Sequence, residues 1–296
     1  MTSHSKAWLQ GFIGVLIFSA TLPATRVALQ SLDPLFLTWA RAAIAGALAI
    51  AALIVFKAKL PEKRDIAPLT AVIAGTVVGF PLFTSLALQH ISSARALVFV
   101  GMLPMMTALF GVMRGGERPG KSFWLFSATG CALVVGYALS QHQARSAIGE
   151  WLMLCAIVIC GLGYAEGARL TRRLGGWQTI SWALAVCWPL SASLAWWHRP
   201  DAWSDVTAGA WTGLAYVSVF SMLVGFVFWY RGLAQGGIAL VGQLQLLQPF
   251  MGMALASLLL GETVTLSMVL VALGVVICVA GAKWTAGPPR IAAIAK

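Results

Sequence analysis

The sixteen residues Met102–Glu117, MLPMMTALFGVMRGGE, recur in altered form 145 positions later as Leu247–Glu262, LQPFMGMALASLLLGE. The proline at the third position and the Gly-Glu pair at the end fall in the same register in both copies. Matches of alanine or leucine arise easily by chance in so apolar a chain, so the evidence for the repeat is the proline and the Gly-Glu pair. This repeat predicts two related halves, residues 1–145 and 146–296.

Composition predicts that lipid surrounds most of the chain. The sequence is 59% apolar and 10% charged, with a mean hydropathy of +0.85, whereas a soluble chain is roughly half apolar and about a quarter charged. Apolar runs of about 20 residues, the length that crosses a bilayer as a helix, occur at 8–30, 34–56, 66–89, 93–113, 122–140, 149–171, 178–197, 207–232, 237–259 and 266–284. We therefore predict an all-α membrane protein of ten transmembrane helices.

Basic residues orient these helices. We interpret the first run, 8–30, as a membrane helix rather than a signal peptide, and Met1 as the start of the mature chain. A cytoplasmic N-terminus then places fifteen of the twenty Lys and Arg residues on the cytoplasmic side. Cytoplasmic loops carry such an excess in membrane proteins. We expect a multi-pass protein of the bacterial inner membrane with both termini in the cytoplasm.

An odd number of helices in each half inverts the second half. Each predicted half has five helices, so the second half enters the membrane from the opposite side. Inverted repeats are typical of secondary transporters, which bind substrate near the bilayer midplane between the repeats and work by alternating access. A passive channel and a duplicated structural protein stay open as alternatives, and a channel would scarcely saturate with substrate.

Patterns for catalysis and metal binding do not occur in the sequence. The four histidines have no HxxxH or HExxH spacing, and the five cysteines form no CxxC. Zinc and acid–base chemistry need such arrangements. We predict that the protein is not an enzyme and holds no metal or cofactor. The net charge of +11 falls in short loops, which does not favour a nucleic-acid partner, so the expected partners are a small-molecule substrate and membrane lipids.

The two Pro…Gly-Glu segments, Met102–Glu117 and Leu247–Glu262, resemble those of the drug/metabolite transporter superfamily, specifically its EamA-type ten-helix members. The resemblance covers essentially the whole chain. Within the superfamily the chain looks most like the YddG-type aromatic amino acid exporters. The resemblance implies a central cavity lined by helices 1, 3, 4, 6, 8 and 9, with helices 5 and 10 outside it. The first half lacks the glutamines of the second, so the two cavity walls should differ.

Polar and aromatic side chains inside the predicted helices are the candidates for substrate binding. Gln245 and Gln248 lie three residues apart on one face of helix 9, where their amides can meet a carboxylate or an amine. Tyr164 in helix 6 and Trp229 in helix 8 offer rings to a flat apolar group. The alternatives are amides that join helices and rings that face lipid. We expect these four residues to bind an amino acid or a similar amphipathic metabolite. A broad-specificity drug or metabolite exporter is the alternative function.

Prolines and one acid are the candidates for hinges and ion coupling. Pro104 and Pro249 each leave a carbonyl one turn earlier without its donor, and matching breaks in two inverted halves point to the binding site. A static kink is the alternative. Glu166 is the one acid well inside a predicted span, so it is the candidate for ion coupling. Arg169 at i+3 favours a simple ion pair instead.

Four further polar residues have expected structural roles. Glu117 and Glu262 each precede a predicted helix, so we expect them to cap helices 5 and 10. Arg41 near the far end of helix 2 is expected to reach the interface by snorkelling, with binding of an anionic group as the alternative. Gln243 points away from the other two glutamines and is expected to hydrogen-bond a neighbouring helix.

Overall fold

The computed structural model describes residues 3–91, 96, 99–140, 146–260 and 266–285, and over these residues the regular secondary structure is entirely helical. The predicted cap Glu262 lies outside the described residues. An all-helical fold with long apolar elements agrees with the predicted class of membrane protein.

Ten helices, α1 to α10, account for most of the described residues, and several are built from consecutive segments. The first half contains α1 (Ser3–Ser19 and Thr21–Ala28), α2 (Pro34–Val55), α3 (Ile66–Val72, Ile73–Gly79 and Phe80–Ala87), α4 (Leu103–Gly115) and α5 (Lys121–Ser140). The second half contains α6 (Ala147–Leu174), α7 (Gly176–Trp197), α8 (Ala208–Ala215, Tyr216–Val224 and Gly225–Gly236), α9 (Ile238–Gly242, Gln243–Leu247 and Gln248–Leu260) and α10 (Leu266–Thr285).

Length and hydropathy make these helices suitable for a bilayer. Among the described residues, six continuous helical spans are long and apolar enough to cross a membrane: Ser5–Ala28, Pro34–Val55, Lys63–Ala87, Ala147–Leu174, Gly176–Trp197 and Ala208–Gly236. A shorter apolar stretch, Val269–Thr285, lies in α10. The main difference from the prediction lies in predicted helix 4, where a turn at Gly101 and Met102 separates the helical residues Phe99 and Val100 from α4.

Several helices pack against the helix that lies five places away in the chain. α2 packs against α7, α4 against α9 and α5 against α10, so each of these helices contacts the helix five places away in the chain. α1 packs against α8, and α3 packs against α6. If each helix is replaced by the helix five places away, α3 becomes α8 and α6 becomes α1. The α3–α6 contact is therefore the counterpart of the α1–α8 contact.

Ion pairs mark one end of the molecule, which we call the basic end. Arg173 at the end of α6 lies 2.6 Å from Asp65, just before α3. Arg172 lies 3.7 Å from Glu117, just after α4. At the opposite end, the backbone N–H of Thr207 before α8 donates to Ser31 Oγ after α1, at 3.2 Å. α1 and α6 therefore run in opposite directions.

Two helices contain π-helical segments at matching positions. These are Ile73–Gly79 in α3 and Tyr216–Val224 in α8. With the 145-residue offset of the repeat, the segment in α3 aligns with Ser218–Val224, which are the last seven residues of the segment in α8. π-helical turns are rare and occur frequently at functional sites. We did not predict either segment, because a wide helical turn has no distinct hydropathy pattern.

Candidate functional site

The four residues predicted to bind substrate lie in one cluster between α1, α6, α8 and α9. Tyr164 and Trp229 meet edge to face, with ring centroids 5.5 Å apart and an interplanar angle of 65°. Gln245 Nε2 donates to Tyr164 Oη at 3.4 Å. Gln248 Nε2 donates to the backbone oxygen of Phe18 at 3.3 Å, and the Phe18 ring packs against Trp229. The structure therefore brings the four predicted residues together.

Further aromatic rings complete the cluster. Phe226 of α8 packs against Phe18 with centroids 5.0 Å apart, against Tyr164 at 6.0 Å and against Tyr230 at 5.2 Å. Phe18 and Phe226 were not among the predicted site residues, because a phenylalanine in an apolar run carries no polar signal. None of the four predicted side chains is more than 5% exposed. In this conformation the cluster is therefore closed to solvent.

Several polar atoms of the cluster are buried without a hydrogen bond. Among the described residues these include Trp229 Nε1, Gln245 Oε1 and Gln248 Oε1. Buried polar groups in proteins nearly always have partners, and leaving one unsatisfied costs about 1–3 kcal/mol. A glutamine amide carries both donor and acceptor atoms, so either glutamine can donate to or accept from a ligand. The cluster thus offers an indole donor and two amides to a small polar molecule.

Glycines set the spacing of the helices around the cluster. A Cβ atom on Gly14 of α1 would lie 3.1 Å from Trp229 Cβ, so α1 and α8 are close there. The spacing Gly163-xxx-Gly167 in α6 predicts close approach of a neighbouring helix. Gly163 packs against Thr76 of α3, whereas Gly167 packs under the ring of Tyr230 of α8. The close approach is present, and it involves two helices.

The candidate hinge prolines stand at the start of helical segments. Pro104 is the second residue of α4 and follows a turn, and Pro249 follows the 3₁₀ segment Gln243–Leu247 of α9. Proline suits the first turn of a helix, where its missing N–H is not needed. Each break therefore precedes its proline, in contrast to a kink inside a continuous helix. The breaks occupy matching places in the two halves.

Glu166 has two cationic partners. Its side chain is 1% exposed, and its Oε2 accepts from Arg169 Nη1 at 2.8 Å. Its Oε1 accepts from Arg114 Nε at the end of α4. The i+3 pairing with Arg169 is the one that the sequence favours. The Arg114 contact joins the two halves and was not predicted, because it depends on the packing of α4 against α6.

Glu117 caps a different helix from the expected one. Its Oε1 accepts from the backbone N–H of Ile238 at 2.6 Å, and its Oε2 accepts from that of Ala239 at 2.7 Å. The carboxylate therefore caps α9 across the interface between the halves, so the expected cap of helix 5 is wrong. Burial raises the pKa of the Glu117 carboxyl above its ordinary value, against the lowering effect of the two backbone N–H groups and Arg172.

Arg41 does not snorkel. Its side chain is 4% exposed, and its Nη2 donates to Val217 O and Ser221 Oγ, both at 3.3 Å. The expectation of an interfacial position is wrong, because α2 packs on the π-helical segment of α8 and encloses the guanidinium. Gln243 also differs from expectation, since its Nε2 donates to Ala239 O of its own helix at 3.4 Å.

Comparison with known proteins identifies relatives over nearly the whole chain. The sequence profile of the EamA-like transporter family matches residues 5–138 and again residues 147–284. The chain is 58% identical over 283 residues to "Uncharacterized transporter YdeK" of Bacillus subtilis, covering 96% of this chain and 99% of that protein. It is 24% identical over 264 residues to "Probable terminal-alkyne amino-acid exporter" of Streptantibioticus cattleyicolor, covering 87% of this chain and 86% of that protein.

A crystal structure shares the fold. It superposes with a TM-score of 0.79 over 95% of this chain and 99% of the other, at 21% sequence identity. At this identity the likeness shows the fold alone.

Proposed function

Because the chain belongs to the EamA-like transporter family, we propose that it is a secondary transporter that exports amino acids, aromatic or otherwise amphipathic, across the bacterial inner membrane. The observation that carries this proposal is the aromatic cluster with its unpartnered indole N–H and two amide groups. The distant relative named as a probable terminal-alkyne amino-acid exporter supports the substrate class.

The groups of the cluster complement a zwitterionic molecule. Trp229 Nε1 donates to the carboxylate, and the amides of Gln245 and Gln248 accept from the ammonium group. The ring of Tyr164 packs against the apolar part of the substrate by offset or edge contact. No carboxylate of the described residues belongs to the cluster, so it suits a molecule without net charge better than a strong cation.

Alternating access between two inverted halves, 1–145 and 146–296, is the proposed mechanism. Support comes from the two matches to one family profile, the reciprocal helix packing and the π-helical segments at matching positions. Pro104 and Pro249, each behind a helix break, are the proposed hinges. Movement there changes the angle of α4 and α9, which contact each other.

Contacts between the halves close the basic end in this conformation. Arg114 pairs with Glu166, Asp65 pairs with Arg173, and Glu117 caps α9. Opening toward the basic end separates these groups. Glu166 is also the candidate for ion coupling, but two guanidinium partners favour a fixed charge that holds α4 against α6. Under the positive-inside rule this end faces the cytoplasm.

Transport into liposomes tests the substrate class. We expect purified protein in liposomes to take up radiolabelled tryptophan and phenylalanine saturably, and threonine more weakly, measured with and without a pH gradient. Gln245→Ala and Gln248→Ala should each raise KM about tenfold or more, because a hydrogen bond to a charged group contributes about 1.5–3 kcal/mol. Gln89→Ala, at an exposed glutamine after α3, is the matched control.

Three outcomes would count against the proposal. If folded protein takes up none of these amino acids at a rate above that of empty liposomes, a broad-specificity drug or metabolite exporter becomes the better hypothesis. If uptake rises linearly without a limiting rate, the protein is a channel for these solutes. If both glutamine variants have the same KM as the wild-type protein, the cluster is not the binding site.

A further inference from the structure

A second candidate site lies at the basic end, in a pocket of about 460 Å³ between the end of α6, the start of α7 and the end of α8. All of its lining residues belong to the second half. Those with polar or aromatic side chains are Thr171, Arg172, Trp177, Gln178, Arg231 and Gln235. The pocket is partly open, so a solute or a lipid headgroup can reach it without a change of conformation.

The positive charge of the pocket is only partly balanced by acidic residues. The lining includes Arg172 and Arg231 and no acidic residue. Arg172 Nε donates to Ala234 O at 3.2 Å, while its buried Nη2 makes no hydrogen bond and lies 3.7 Å from Glu117. Arg231 forms no ion pair with any described carboxylate, and its stem packs against Gly176.

The remaining acids at this end are already engaged. Asp65 and Glu62 bind Arg173, and Glu62 also binds Arg64. Glu166 binds Arg114 and Arg169. Glu117 gives both of its oxygens to the first backbone N–H groups of α9. None of these carboxylates is free to neutralise Arg231.

The start of α7 adds to the positive potential. α7 has 22 residues, begins at Gly176, and has no side chain that caps its N-terminus. The first backbone N–H groups of a helix lack intrahelical partners and carry partial positive charge. Two guanidinium groups beside such a terminus repel it and each other. An anion between them would relieve this repulsion and accept charge-assisted hydrogen bonds.

We propose that this pocket binds an anionic phosphate or carboxylate group through Arg172 and Arg231, at the N-terminus of α7. A soluble anion and the headgroup of an anionic lipid present the same chemistry. Anion binding in this pocket does not depend on which substrate the protein transports, because the evidence for it comes from the pocket and the residues around it. A negative result for amino acid transport would leave it unaffected.

Thermal unfolding of the purified full chain tests the pocket. In neutral detergent, inorganic phosphate should raise Tm above the value in sodium chloride of equal ionic strength, because a ligand of the folded state stabilises it. Arg231→Gln should shift the half-effect concentration of phosphate upward about tenfold or more. Arg118→Gln, which removes one positive charge from an exposed position in the α4–α5 loop, should leave it unchanged.

A second arm identifies the source of the anion. The same chains are placed in nanodiscs of phosphatidylcholine with or without phosphatidylglycerol. Stabilisation by phosphatidylglycerol but not by phosphate, lost in Arg231→Gln, assigns the site to a lipid headgroup. If Arg231→Gln does not fold, Arg231→Lys serves instead. It keeps the positive charge but lacks a guanidinium that donates two parallel hydrogen bonds, so it should weaken binding severalfold. The proposal is overturned if neither anion stabilises the wild-type chain beyond its control, or if the Arg231 variants respond like wild type.

Discussion

Gly167 fixes the distance between α6 and α8 beside the substrate cluster. A Cβ atom at this position would lie 2.3 Å from ring carbons of Tyr230. The Tyr230 ring is itself enclosed by the packing and has no exposed surface. Its hydroxyl lies 3.2 Å from Thr76 Oγ1 of α3. The ring therefore cannot move away without disturbing α3 and the cluster.

Gly167→Ala should destabilise the protein by about 1–3 kcal/mol, because overpacking in a close-packed interior forces side chains and backbone to shift. Gly136→Ala is the matched control, since a Cβ there has no atom within 4 Å. That change should be neutral or slightly stabilising, by up to about 1 kcal/mol, because alanine favours helix more than glycine. Thermal unfolding in detergent measures both, and an equal response would contradict the packing described.

Residue type alone predicted part of the site. Gln245, Gln248, Tyr164 and Trp229 are polar or amphipathic groups in apolar runs, so sequence singles them out. Phe18 and Arg114 do not stand out in this way, because one is a common membrane residue and the other follows a helix end. Their roles depend on which helices meet. Roles in binding stay predictions until transport is measured.

At the scale of elements, the ends of helices carry the contacts between the halves. The N-terminus of α9 has no side chain of its own that caps it, and Glu117 from the α4–α5 loop supplies both acceptors. The residue that ends the first copy of the repeat thus stabilises the helix that carries the second. This arrangement couples the position of the α4–α5 loop to the start of α9.

Glu117→Ala should lower the free energy of unfolding by about 1–2 kcal/mol, because loss of an N-terminal cap leaves backbone N–H groups unsatisfied. Asp201→Ala, at an exposed acid in the α7–α8 loop, should change it by less than about 0.5 kcal/mol. Chemical unfolding followed by tryptophan fluorescence distinguishes the two. A Glu117 variant as stable as the Asp201 variant would mean that the cap contributes nothing.

Elements were predictable to different degrees. Long apolar runs gave the positions of the helices, because the width of the bilayer fixes their length. The π-helical segments and the turn before α4 were not predictable, since both are departures from regular hydrogen bonding inside apolar sequence. The partner of Glu117 was missed because capping rules describe the nearest helix in sequence, whereas the loop folds toward α9.

At the scale of the whole molecule, the two copies of Pro…Gly-Glu predict two related halves, whereas the packing of helices five places apart in the chain was not predicted. The closed basic end was not predictable, because a sequence does not state which conformation is populated. Alternating access, as proposed, requires that α4 and α9 separate at the basic end during transport.

A cross-link between these two helices tests that requirement. A Cβ atom on Gly111 of α4 would lie 3.2 Å from Ile238 Cβ of α9, near the roughly 3.5–4.5 Å found in disulfides. In a chain whose native cysteines are replaced by alanine, Gly111→Cys and Ile238→Cys are combined. The single substitutions, treated with the same oxidant, are the controls.

Saturable tryptophan uptake into liposomes is then measured before oxidation, after oxidation and after reduction of the double variant. Alternating access predicts uptake that falls to the level of empty liposomes when the disulfide forms and returns when it is reduced. Uptake at the unoxidised rate, with the disulfide verified by mass, would contradict the account.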